Sequence, residues 1–461
     1  MPRNSPSHPP SCAPATPVAP VTPVTSAAPI ALDVSPAPST PPAPDTASPP
    51  DASAAPAGNW RFHGAVLALG TFVVGTDAFV IAGVLPSIAA DLHIGLGAAG
   101  QLVTTFAIGY ALLSPLLAAC TAGWSRRTVL ITALLVFALG NAATALAPTY
   151  PLALAARVVA AAGAALYTPN ASATAAALAG EAARGRAFAL VNTGLTSALV
   201  LGAPLGTAVG GAYGWRTTMW LVTVLPLLVV PLLAARLPRI RIDTPRGLRR
   251  RLAPLADRSI LYVLATTVVV FVAIYMPFEY ISAVYAPVLG HGASGGDTDS
   301  GLAAVLLLVF GVCGTAGNLV AGHLADRFGP RRVVLAAALA LTVVFGLVPL
   351  SREWLPAALV AVAVSGWVSF SVTTPQQHRI AALAPQAQAV VVSLNAAAIY
   401  LAVSLAGGLG GIGVETVGAA RLPWVAAGFA LAAAVMTAVH RGRGGGRAAH
   451  RARPATDRRS R

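Results

Sequence analysis

The chain has 461 residues, 56% of them hydrophobic and only 10% charged, with a mean hydropathy of +0.73; a soluble protein would carry about a quarter charged residues, so a soluble globular domain is excluded and a polytopic membrane protein is implied. All 30 basic residues are Arg, and against 15 acidic residues they give a net charge of +15; with no Lys to reach the β and γ phosphates, a P-loop ATPase is excluded. The three cysteines (Cys12, Cys120 and Cys313) are too scattered for a disulfide framework or a metal site.

In chain order, residues 1–58 come first, rich in Pro and Ala, as in "PATPVAPVTPVTSAAP". They lack the basic start and continuous apolar region of a signal peptide and read as a disordered or polyproline-like tail. From Gly64 onward, long apolar runs alternate with short polar breaks. A spanning helix needs about 20 apolar residues. The pattern predicts twelve spans, near 64–90, 98–119, 128–147, 151–177, 186–210, 216–235, 259–286, 301–322, 333–350, 355–377, 387–410 and 421–440. Breaks such as "HIGLG" (93–97) and "APTYP" (147–151) place Gly or Pro where a helix should stop.

Arginine placement predicts the topology. With the N-terminus inside, 26 Arg fall on inner segments, only Arg216, Arg352 and Arg421 fall outside, and Arg157 lies within a span. By the positive-inside rule both termini are then cytoplasmic. This distribution also accounts for the positive charge without a nucleic-acid partner. The longest inner segment follows six spans and precedes six. The predicted layout is an N-terminal six-helix half (59–235), a basic cytoplasmic linker (236–258), a C-terminal six-helix half (259–440) and a basic tail (441–461). That is the plan of a transporter, with the linker as a topological anchor near anionic lipid.

Three charges fall inside spans: Asp77, Arg157 and Glu279. Each costs several kcal/mol in lipid unless paired or hydrated, so each is a functional candidate. At about 1.5 Å per residue, Asp77 lies roughly 20 Å and Arg157 roughly 21 Å from the inner face, so the two can pair. Glu279 falls about 30 Å along its span, at the outer surface, where water would reach it.

Several stretches together resemble the major facilitator superfamily, and within it the twelve-span drug:proton antiporters of the bacterial chloramphenicol-resistance and arabinose-efflux type. They are "ALGTFVVGTDAFVIAGVLPSIAADL" (68–92), "AGQLVTTFAIGYALLSPLLA" (99–118), "LVNTGLTSALVLGAPLGTAVGGAYGWRTTMW" (190–220), "GHLADRFGPRRVVL" (322–335) and "VVSLNAAAIYLAVSLAGGLGG" (391–411). The resemblance implies an all-α membrane protein with twelve transmembrane helices in two pseudo-symmetric six-helix halves. It implies a monomer in a bacterial inner membrane that exports a small molecule (a drug, natural product or sugar) against protons. The proton gradient is then the only energy source, with no cofactor, no metal and no enzymatic step. A proton-coupled uptake symporter and a non-transporting receptor are the alternatives. An intramembrane serine protease is not supported, because Ser365 has no deep His to pair with.

The resemblance also suggests roles for particular residues. Asp77 and Arg157 become the proton-coupling pair, since the family sets its first and fourth spans around the central cavity. In family members the acid stands immediately before the Phe, where this chain has Ala78, a turn of about 100° around the helix. Gly202, Gly206 and Gly210, at i, i+4 and i+8 with Pro204 among them, form the antiporter motif, a pliable seam controlling leak and switching. Gly322, Asp326, Arg327, Gly329, Arg331 and Arg332 form a cytoplasmic latch. There Gly322 and Gly329 permit a tight loop, and Asp326 accepts from an Arg or a helix N-terminus. The matching stretch after span 2, "CTAGWSRRTVL", keeps Arg126 and Arg127 but lacks the Asp. Gln101, Glu279, Gln376 and Asn395 are candidates to line the cavity.

Overall fold

The computed structural model describes residues 60–121, 123–241, 253–290, 299–384 and 388–440. The predicted N-terminal tail, residues 242–252 of the basic linker and the C-terminal tail lie outside them. Twelve helices in the described residues are long and apolar enough to cross a membrane: α1 Trp60–Asp91, α2 Leu96–Cys120, α3 Arg126–Leu146, α4 Tyr150–Gly180, α5 Ala183–Tyr213, α6 Trp215–Arg236, α7 Arg258–Glu279, α8 Ser300–Phe328, α9 Pro330–Ser351, α10 Leu355–Leu383, α11 Val390–Thr416 and α12 Leu422–Val439. No strand occurs among the described residues.

The helices are apolar all round, as lipid demands. Their outward faces carry large side chains such as Leu112, Leu139, Leu228 and Leu350, while Ala, Gly and Thr fill the contacts between helices. Local signals set the ends. The Asp257, Ser125 and Asp299 side chains accept from backbone N–H groups in the first turns of α7, α3 and α8. Pro151, Pro330, Pro356 and Pro423 open α4, α9, α10 and α12.

Several helix ends depart from expectation; α10 and α11 each run six residues further than predicted, to Leu383 and Thr416. The seventh span does not run to 286: α7 stops at Glu279, and a short helical turn, Ile281–Val284, turns away from it. Pro277 lies in the last turn of α7, so the chain is already primed to break there. The eighth span does not stop at 322: α8 runs to Phe328 and ends on Gly329, whose φ of 85° only glycine adopts without strain.

The N-terminal half packs α4 on both α1 and α3, with α2 against α4, α5 against α1, and α6 against α3 and α1. In the C-terminal half α7 packs on α11 and α12, α8 on α10, and α9 on α12. The halves meet through α2 against α11 and α5 against α8. Moving each helix number by six carries one contact onto the other, so the pseudo-symmetry extends to the join.

Candidate functional site

Asp77 and Arg157 form an ion pair sealed inside the first half. Arg157 Nη1 donates to Asp77 Oδ1 at 2.8 Å and to Oδ2 at 3.0 Å. The side chains are 0% and 1% exposed, so bulk water does not screen them. Arg157 Nη1 also lies 3.4 Å from Asn141 Oδ1. The guanidinium covers the face of Phe106, with Cζ 4.4 Å from the ring centroid. Four helices therefore build the site: α1 gives the carboxylate, α4 the guanidinium, α3 the amide and α2 the ring.

Helix packing fixes this geometry. Tyr167 on α4 donates to Leu67 O on α1 at 3.1 Å, and Gly70 makes room for it, since a Cβ there would stand 1.9 Å from the Tyr167 oxygen. On α1 the one-residue offset matters: Asp77 is fully buried toward Arg157, while Ala78 is only half-buried. One turn further along α2 from Phe106, Tyr110 stacks on Tyr400 of α11 with centroids 3.6 Å apart.

The three motif glycines of α5 face α1. A Cβ on Gly202 would meet Thr76 Oγ1 at 2.1 Å, one on Gly206 would meet Val80 Cγ2 at 2.3 Å, and one on Gly210 would meet Val84 Cγ1 at 2.5 Å. The partners on α1 are themselves spaced i, i+4 and i+8, so the two helices interlock like a zip, with Asp77 on the same stretch. Just before Pro204, α5 widens into a π turn over Ala198–Gly202. That turn lies against α8, where a Cβ on Gly311 would stand 2.8 Å from Leu199 O. The motif thus joins α1 on one face and the other half of the molecule at its wide turn.

The latch differs from expectation. Gly322 and Asp326 are within α8, so the tight turn belongs to Gly329 alone. Asp326 is exposed on the last turn of α8 and makes no ion pair among the described residues. One of its expected partners is engaged elsewhere: Arg331 donates to Thr437 O at 3.0 Å and Ala438 O at 2.6 Å, capping the end of α12. Arg327 lies over the Phe328 ring, 5.2 Å from its centroid. At the matching position in the first half, Arg126 donates to Asn170 of α4, and its own N–H donates to Ile240 O at 2.9 Å.

The cavity candidates separate. Gln376 is fully buried in a closed hydrogen-bond chain. It donates to Thr267 Oγ1 at 2.9 Å and to Val263 O at 3.1 Å, and accepts from Arg379 Nη1 at 2.9 Å. Thr267 Oγ1 lies 2.9 Å from Asn395 Oδ1. Gln376 and Asn395 therefore tie α7, α10 and α11 together and are not free to line a cavity. Gln101 is half-buried on α2 and is not hydrogen-bonded to the pair. Glu279, the last residue of α7, is not at a wet surface; it is 4% exposed, and a Cβ on Gly407 of α11 would stand 2.9 Å from its Oε2.

Phe106 and the Tyr110–Tyr400 stack went unnoticed in the sequence. Aromatic residues in an apolar run carry no periodic signal that separates a lining ring from a packing one.

The sequence pattern of the Major Facilitator Superfamily matches residues 67–316 and 296–458. The chain is 30% identical over 368 residues to the uncharacterised MFS-type transporter YbcL of Bacillus subtilis, covering 80% of this chain and 92% of that protein. It is 36% identical over 310 residues to a chloramphenicol resistance protein of Streptomyces lividans, covering 66% and 77%. Among solved structures, the nucleoside transporter NupG matches with a TM-score of 0.68 at 13% identity over 82% of this chain and 99% of that one. The xylose transporter XylE of E. coli, in a partially occluded inward-open conformation, matches with 0.64 at 17% identity over 83% and 100%. At such identities the structural likeness speaks for the fold.

Proposed function

Since the chain belongs to the major facilitator superfamily, we infer that it is a proton-coupled exporter of a small molecule, with Asp77 and Arg157 as the coupling pair. The observation that carries this reading is the buried ion pair itself. A fully buried carboxylate held by one guanidinium has two ways to be neutralised, the Arg or a proton. A proton on Asp77 frees Arg157 to rest on Asn141 and Phe106, and the helices α1 and α4 that carry the pair lose their tie. A polar or cationic substrate competing for the same carboxylate is exchanged for the proton. Likeness to a chloramphenicol resistance protein and the glycine zip of α5 favour export over uptake.

The test is transport into inverted vesicles under an imposed proton gradient, with candidate drugs screened by fluorescence dequenching. Substrate-dependent proton release in wild type and its loss in Asp77→Asn are expected. Transport that survives collapse of the gradient, or substrate moving in the same direction as protons, would overturn antiport. Unchanged coupling in Asp77→Asn would remove Asp77 from the mechanism.

A further inference from the structure

The end of the molecule opposite the Arg-rich loops is closed by a seam of close backbone contacts between α2 and α11. A Cβ on Gly411 would stand 3.0 Å from Gly97 O, and one on Gly100 would stand 1.9 Å from the Tyr280 oxygen. Tyr280 donates to Gly407 O at 2.8 Å. Thr104 donates across the seam to Ser404 O at 3.2 Å, and Ser282 donates to Ala82 O at 3.3 Å. Under this seam lies Glu279. A Cβ on Gly407 would meet Thr104 Oγ1 at 2.5 Å, Glu279 Oε2 at 2.9 Å and Gly100 O at 3.3 Å, which puts the carboxyl at the junction of α2, α7 and α11. Both of its oxygens are buried and neither has a hydrogen-bond partner.

No Arg or His is paired with it among the described residues. Tyr275 and Tyr280 are the titratable groups beside it at the α7 end; Tyr400 and Glu415 of α11 lie further off, against Tyr275 and Tyr280 respectively, with Tyr150 of α4 behind Tyr280. The α2 face presents only the Thr104 hydroxyl and the Gly100 carbonyl. None of these is a cation. A carboxylate in such a place has lost its water and gained nothing in return, whereas the neutral acid fits.

We propose that Glu279 is a second proton-binding site and the proton sensor of this seam: the α2–α11 closure forms over the protonated carboxyl and opens when the proton leaves. Loss of the proton leaves a charge that only water can solvate, and water reaches it by parting the two glycine-lined helices. Binding of a proton from the opened side removes that charge and lets the seam close over the acid. The closed form is thus favoured at acidic pH and lost as pH rises. The proposal rests on alternating access but not on Asp77, which belongs to a separate pair within the first half.

The experiment is distance measurement between spin labels at Thr149→Cys and Thr416→Cys, both exposed beside the seam, in full-length protein with the native cysteines replaced. Wild-type labels should gain a longer distance on going from acidic to alkaline buffer. Glu279→Gln, a neutral isostere that keeps the fold, should stay at the short distance throughout. Glu415→Gln should respond like wild type. A pH response in Glu279→Gln equal to wild type would overturn the proposal, as would its loss in Glu415→Gln alone. No transport is needed for this readout. A failed antiport assay with an intact seam response sinks only the Asp77 reading, and the converse result sinks only this one.

Discussion

Asp77 shows why a buried charge is read in pairs. Among the described residues its carboxylate is held by Arg157 alone, and the guanidinium is backed by one amide and one ring. Removing one partner leaves the other buried and unpaired, which costs about 3–5 kcal/mol, while removing both charges is often neutral. Asp77→Asn and Arg157→Gln should therefore each lower the unfolding temperature in detergent. The double variant should recover most of that loss without recovering proton-coupled transport. Equal loss of stability in the double and single variants would show that the pair is not a unit. The sequence made this pairing legible because both residues stand alone in apolar runs at one depth. Glu279 was misread for an equally physical reason: its place at the end of α7 was legible, but position along one helix says nothing of the α2 and α11 residues that cover it.

At the scale of the element, α1 and α5 depend on glycine at three successive turns. Gly206→Ala should cost about 1–3 kcal/mol by overpacking, because its methyl meets Val80 Cγ2 at 2.3 Å. Adding Val80→Ala removes that atom, leaving Val80 Cβ and Thr218 Cγ2 at 3.3 Å, and should restore much of the stability. Thermal unfolding of the three variants measures this. The i, i+4, i+8 spacing announced a smooth face, but only the packed structure names α1 as its partner. The widened turn at Ala198–Gly202 had no signature beyond the Pro204 that follows it. The latch shows the opposite case. Its residues were visible as a motif, yet Arg331 serves the end of α12 and Asp326 meets no cation among the described residues, so the motif alone did not give the contacts.

At the scale of the whole molecule, the two halves close on each other at the Arg-poor end through α2 and α11, with the Tyr110–Tyr400 stack beneath the seam. Closure needs bare backbone at Gly407. Gly407→Leu should hold this end apart, raise the labelling rate of Thr104→Cys by a membrane-impermeant maleimide in a background lacking the native cysteines, and abolish transport. Labelling no faster than with Gly407 intact would show that the seam does not close against this glycine.

The sequence by itself determined the class of molecule. Apolar runs of spanning length, broken by Gly and Pro, leave no solution but helices in lipid, because every backbone N–H and C=O must be satisfied within the span. It also determined which charges are expensive. Only the tertiary structure decided what each charge meets. Helices that are apolar on every side carry no stripe to say which face is inward, so partners are chosen by small residues, bends and rotation. That is how Asp77 comes to face Arg157, Gln376 to bind Thr267, and Glu279 to end beneath a glycine seam with no hydrogen-bond partner among the described residues.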